Sequence, residues 1–368
     1  MLNPTRLEFA RNQRRWTKTR LAKALGVQSR SIQGYETGEY EPESERLEHI
    51  AELLRFPIEF FFGDDLPVIA DHTASFRALS KMSASLKNSA LGAGTIAFLL
   101  NNLIEGYFKL PVADLPDLSD LSPEDAAATL RRMWGLGEAP VGNMIHLLES
   151  MGIRIYSLTI EAKEVDAFSV WHESQPFVLL NTFKTTEHSR FDAAHELGHL
   201  VRDRHSMLHG TAHSPEMERE ANAFAAAFLM PRNSVIAHKP NFPSMQNLIR
   251  LKRVWGVSLA ALAYRMNQLS LLTEWTYRSL CIQIAKHGYR TKEPEAMRPE
   301  HSQLLTKVFE LLRKEGIQRS DIARQLLVHP DDLNNLTFCL TTSSVTTQAS
   351  VSNMSDNAAQ QTKLRLVT

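Results

Sequence analysis

Two histidines, His195 and His199, stand four positions apart in the run Phe191-Asp-Ala-Ala-His-Glu-Leu-Gly-His-Leu200, with Glu196 directly after the first. On a helix such a pair shares one face, a turn apart, so both imidazoles can bind one zinc ion at about 2.0 Å. Glu196 projects differently and is badly placed as a ligand. It is well placed to take a proton from a water activated by the metal. Zinc held by three side chains keeps a fourth position for water and lowers its pKa from about 15.7 to about 7, which permits hydrolysis at neutral pH.

A third ligand is needed, and 19 residues past His199 begins Glu218-Arg-Glu220-Ala221-Asn222-Ala223-Phe224-Ala225. Glu218 and Asn222 are i,i+4 neighbours, so Glu218 can reach the metal while Asn222 hydrogen-bonds a ligand histidine from behind. Glu220 is the rival ligand. It lies about 200° around the helix from Glu218, so only one of the two can face the site, and Glu218 is preferred. His205, His209 and His213 also recur every four residues, but Gly210 and Pro215 make that stretch loop-like, and a lid beside the cleft is the simpler reading.

These residues must be positioned by helices and a small sheet. Helical patterns cover His188–Arg202 and Pro215–Leu229, the second ended by Met230-Pro231. Before them, Ser122 with Pro123 opens a helix to about Trp134, and another spans Val141–Ser150. Three runs rich in β-formers follow, Ile153–Ile160, Ala167–Trp171 and Phe177–Asn181. Tyr156 and Trp171 are expected in the core of that sheet. Phe177–Asn181 is expected at its edge, where a peptide could add as a further strand. Later helices cover Ser244–Trp255, Ser258–Leu269, Glu274–His287 and Ser302–Lys314, then a short pair within Ser320–Leu336. From Thr341 the chain is rich in Ser, Thr, Gln and Asn and is expected to be disordered.

The N-terminus carries a different chemistry. Residues 1–35 hold eight Lys or Arg against the single acid Glu8, whereas residues 36–63 hold eight Glu and two Arg. A local excess of this kind suits phosphates. Within Thr17–Glu36, Ala22 is small where two helices would cross and Gly26 permits a tight turn. Val27 and Ile32 pack the second helix onto the first. This pattern, continued by Glu36-Thr37-Gly38, Pro42, Leu47–Leu54 and Pro57-Ile58-Glu59-Phe60-Phe61, resembles the Cro/phage-repressor type of helix-turn-helix. That resemblance implies a second helix lying in the major groove. It makes Ser29, Arg30 and Gln33 base-reading candidates, with Lys18 and Arg20 on phosphates. Gly34 falls where such domains often have a polar contact residue.

Residues 153–231 together resemble the ImmA/IrrE family of metallopeptidases, through Pro176-Phe-Val-Leu-Leu-Asn181, the His-Glu-Leu-Gly-His run and Glu-x-x-Ala-Asn-x-Phe-Ala followed by Phe228-Leu-Met-Pro231. Arg202-Asp-Arg-His205 departs from the shorter, more apolar stretch usual in that family. The resemblance implies a zincin-like endopeptidase that cuts helix-turn-helix repressors. In that mechanism zinc is held by His195, His199 and Glu218, with Glu196 as general base. His172, His188, His205 and Tyr156 are the candidates for oxyanion donors. The competing reading is a transcription factor whose metal domain is a non-catalytic sensor or dimerisation module. Glu196 argues against it, because a pure sensor has no use for a carboxylate between two ligands.

The expected fold is mainly α with a small β-sheet, an α+β protein. Its parts are a helix-turn-helix bundle over 1–63, a connector over 64–122, a zinc metallopeptidase domain over 123–272, a helical extension over 273–340 and a tail over 341–368. The extension reads either as a second helix-turn-helix-like bundle or as packing on the peptidase. A length of 368 residues gives room for two or three such domains. With 41 basic and 41 acidic residues there is no global field, so any DNA affinity must be local. Two cysteines, Cys281 and Cys339, are too few for a disulfide framework. No apolar run reads as a membrane span or signal segment, so a cytoplasmic protein is expected. Its expected partners are double-stranded operator DNA, a protein substrate and a second copy of itself, because one helix-turn-helix reads only a half-site.

Overall fold

In the computed structural model the described residues are 1–69, 82–158, 167–203 and 214–340, with the backbone of 365–366. The first helices are α1 (Pro4–Gln13), α2 (Lys18–Leu25), α3 (Ser29–Thr37) and α4 (Ser44–Leu54), then a 3-10 turn at Ile58–Phe62. A long helix α5 (Ala84–Tyr107) follows, then α6 (Pro123–Met133) and α7 (Met144–Ser150). Strands β1 (Arg154–Leu158), β2 (Ala167–His172) and β3 (Gln175–Asn181) come next. The chain returns to helix in α8 (Thr186–Arg202), α9 (Pro215–Leu229), α10 (Arg232–Ala237), α11 (Met245–Trp255), α12 (Leu259–Gln268) and α13 (Glu274–Lys286). It ends in α14 (Gln303–Lys314), α15 (Arg319–Gln325) and α16 (Pro330–Leu336). The fold is α+β, mainly helical with a small mixed sheet. Polar caps account for many helix starts: Thr17, Ser122, Thr185, Ser214 and Ser258 each accept a hydrogen bond from a first-turn N–H. Among the described residues no helix is long and apolar enough to cross a membrane.

The chain divides into two compact units, the first built from Met1–Val68, Ser83–Val112 and Gln303–Thr368, the second from Ile69–Met82 and Ala113–Ser302. In the first unit α1–α4 bury Leu7, Leu21, Ile32, Ile50 and Leu54, and the turn after them buries Phe60 and Phe61. Gly26 ends α2 at φ 68°, a left-handed conformation open to glycine at little cost. The basic residues are not all on the surface. Arg11 is buried and bonds both oxygens of Glu36 at 2.5 and 3.0 Å. Helix α5 packs along α1. The C-terminal helices belong to this unit too: Arg14 on the α1 cap grips Asp332 of α16 at 2.6 and 2.7 Å and the Leu54 carbonyl at 2.6 Å. Of the 273–340 stretch, Glu274–Lys286 falls in the second unit and only the part from Gln303 in the first. Asp331 and Asp332 meet Arg55 and Arg14 of the helix-turn-helix module. In the tail, Arg365–Leu366 pairs antiparallel with Phe108–Lys109. The rest of 341–368 lies outside the described residues.

In the second unit the sheet has the order β1-β3-β2, with β1 parallel and β2 antiparallel to β3. The expectation for Phe177–Asn181 is therefore corrected: it lies in the central strand. Its run Phe177-Val178-Leu179-Leu180 is apolar at every position because a central strand is covered on both faces, and that continuity, without alternation, is the mark of such a strand. Among the described residues β2 is an edge. Helix α8 lies against β2 and β3, and α9 packs on α8 and α6. Three buried cations tie the outer segments in. Arg190 donates to the carbonyls of Val141 (2.8 Å) and Trp255 (3.3 Å) and to Glu300. Lys252 sits 2.7 Å from Glu187 and 3.2 Å from Glu293. Arg265 holds Glu124 through two bonds, 2.7 and 2.6 Å.

Candidate metal centre and nucleic-acid face

Helices α8 and α9 can approach closely because Gly198 lacks a side chain. A Cβ there would stand 3.1 Å from the Phe224 ring and 3.4 Å from the Ala221 Cα. The close crossing brings Glu218 over the histidine pair. His195 Nε2 and His199 Nε2 are 3.1 Å apart, and each lies 3.4 Å from one carboxylate oxygen of Glu218. One ligand atom from each of the three residues lies within 4.8 Å of the others. Two imidazole nitrogens and a carboxylate form a donor set suited to zinc.

The far side of each imidazole is tied back. His195 Nδ1–H donates to Asn222 Oδ1 at 3.1 Å, and His199 Nδ1–H donates to Asp203 Oδ2 at 2.6 Å. Both bonds keep the Nδ1 proton in place and turn Nε2 toward the shared point, which is how partners behind metal ligands set their tautomer. Asn222 in turn donates to the Glu218 carbonyl at 2.8 Å, so the two residues are braced on one helix. Glu220 is directed away, to Arg202 at 3.0 Å.

The surroundings of His199 and Glu218 shift both groups strongly. Burial alone would push the His199 imidazole down, but hydrogen bonds with Asp203 and Glu218, aided by the charge of Glu196, carry it up to about 10. Burial likewise pushes Glu218 up, and its bonds to His195 and His199 outweigh that and hold it well below the usual carboxylate range. The pocket thus favours positive charge between these three side chains.

Glu196 is 4 % exposed and accepts a hydrogen bond from Ser169 Oγ, on β2, at 2.6 Å. One turn earlier, burial raises Asp192 to about 6, against the pull of Lys184 and His195. Burial, followed by the charge of Lys184, lowers His188 to about 4. His188 faces Asp192 at 3.6 Å, two turns before His195. Tyr156 stacks on Phe177 inside the sheet, and His172 meets the same ring edge-on. His205, with His209 and His213, lies outside the described residues.

Sequence reasoning missed Asp203 and Ser169. Asp203 carries a readable signal, a carboxylate four residues past His199 inside the Arg202–His205 stretch. Ser169 carries none, since its role depends on which strand packs under α8.

On the first unit, Ser29, Arg30 and Gln33 are all exposed along the start of α3, as is Arg20 on α2. Arg20 rests on the Trp16 ring, 4.2 Å from its centre, and Ser29 Oγ donates to Thr19 Oγ1 at 3.4 Å. Lys18 lies 3.3 Å from Glu36 and also bonds Gln33, so it links α2 to α3 as well as facing outward. Gly34 is buried beneath the Tyr40 ring, which occupies the space a side chain would need.

Compared with protein-family models, residues 148–267 match the IrrE N-terminal-like domain of the M78 peptidases and residues 7–61 match a helix-turn-helix domain. No curated protein matches the chain.

Proposed function

We propose that this chain, which carries a helix-turn-helix domain and an IrrE-like peptidase domain, is a DNA-binding regulator whose second unit cleaves a regulatory protein, of the helix-turn-helix repressor class, by metal-dependent hydrolysis. The observation that carries this reading is the convergence of His195, His199 and Glu218, with both histidines held from behind. These three residues would hold zinc, which when bound supplies the Lewis acidity that activates water and polarises a peptide carbonyl. Glu196 takes the proton from the attacking water and returns it to the departing amine as the C–N bond breaks. The edge of β2 can hold the peptide as an added strand beside α8. Arg30 and Gln33 suit guanine and adenine edges respectively, Ser29 suits either, and Lys18 and Arg20 neutralise phosphates. Two copies of the chain would read the two half-sites of an operator.

The reading as a metal sensor without turnover is weakened by Glu196, a carboxylate buried at the position a general base requires. The test is to incubate zinc-loaded protein with helix-turn-helix repressors and follow intact mass. Defined fragments with wild type, formed at least about 100-fold more slowly by Glu196→Gln and absent with chelator, support the reading. Uncut repressors throughout refute it.

A further inference from the structure

We infer that Ser169 is the positioning residue for Glu196, and that it ties the alignment of the base to the strand along which a substrate would pair. The inference rests on the peptidase reading above and deepens it.

Ser169 stands in a run that is otherwise apolar, Ala167-Phe-Ser-Val-Trp171, every member of it buried and Ser169 itself 0 % exposed. A buried hydroxyl costs stability unless it is hydrogen-bonded. Its Oγ–H donates to Glu196 Oε2 at 2.6 Å, within the short range of bonds to an ionised carboxylate. The bond crosses from strand to helix, between residues 27 positions apart. Side chains alternate along a strand, so Ser169 faces α8 while Phe168 and Val170 face the other way. A glutamate has three rotatable bonds, and general-base catalysis requires its oxygen within hydrogen-bond reach of the reacting water. Ser169 restrains one carboxylate oxygen of Glu196. Because β2 is an edge among the described residues, a peptide adding there pairs with the strand whose Ser169 side chain holds the base.

The experiment uses the full chain, zinc-loaded, and the repressor whose cleavage defines the proposed function. It compares Ser169→Ala, Ser169→Thr, Glu196→Gln and the Ser169→Ala/Glu196→Gln double variant. Ser169→Ala should keep its zinc and its KM and lose at least about tenfold in kcat, part of the roughly 10²–10⁴-fold due to general-base catalysis. Ser169→Thr, which keeps the hydroxyl, should restore most of it. In the Glu196→Gln background Ser169→Ala should change residual turnover no further. The losses in unfolding midpoint of the two single variants should fail to add in the double variant, a coupling independent of activity. An unchanged kcat in Ser169→Ala, or equal losses in both backgrounds, overturns the inference while leaving the peptidase reading intact. A wild type that cuts no repressor overturns both.

Discussion

His199 shows how the centre is prepared for a cation before one arrives. Asp203 behind it and Glu218 in front hold its imidazole protonated up to about pH 10. A raised pKa stabilises the metal-free fold below the unfolded histidine value of about 6.5, and that contribution is lost as pH rises through about 10. Metal must displace this proton, so zinc binding at pH 7–8 should release protons. Titration calorimetry in two buffers of different ionisation enthalpy should give different apparent heats; identical heats would mean His199 binds metal from the neutral state. Asp203 acts only from behind the ligand. Asp203→Ala should therefore weaken zinc affinity about 10–100-fold without abolishing it, measured by chelator competition. An unchanged affinity would show that the 2.6 Å bond to His199 does not orient the ligand.

The elements matter through how close they come. Helices α8 and α9 meet at Gly198 against Phe224 and Ala221, and Glu218 of α9 lies 3.4 Å from each histidine of α8. Gly198→Val should separate the helices, cost about 1–3 kcal/mol by overpacking, and lower metal affinity. Thermal unfolding and chelator competition on the same samples check both effects, and a variant with wild-type affinity would show that α9 tolerates displacement. Much at this level was legible in sequence. Helix α9 runs over Pro215–Leu229, the bounds of the helical pattern that Met230-Pro231 ends, and the spacing of the two histidines placed them on one face. Glu218 lies 3.4 Å from His199, and Glu220 lies 3.0 Å from Arg202. Strand order was not legible. A continuous apolar run identifies a strand without saying which neighbours it takes, and Phe177–Asn181 sits at the centre because β1 and β2 claim its two sides. Ser169 was hidden for the same reason.

Across the whole chain, the first unit is assembled from segments far apart in sequence. Arg14 and Asp332 are 318 residues apart, and their paired bonds, 17 % and 13 % exposed, fasten α16 to the helix-turn-helix module. The apparent charge of the N-terminus is thus not all available to phosphates, because Arg11 and Arg14 are spent on Glu36 and Asp332. Asp332→Ala should destabilise this unit by about 1.5–3 kcal/mol, the range for hydrogen bonds to charged groups. Hydrogen exchange should show the loss in α1 and α4, while α8 and α9 stay protected; equal loss everywhere would argue against separate units.

Metal content in three proteins purified in parallel, the wild type, Glu218→Ala and Glu220→Ala, tests the metal centre most directly. One zinc per chain in the wild type and in Glu220→Ala, with loss of tight zinc in Glu218→Ala, is the result expected from the cluster of His195, His199 and Glu218. Zinc retained by Glu218→Ala and lost from Glu220→Ala, or absent from all three after loading, would contradict it.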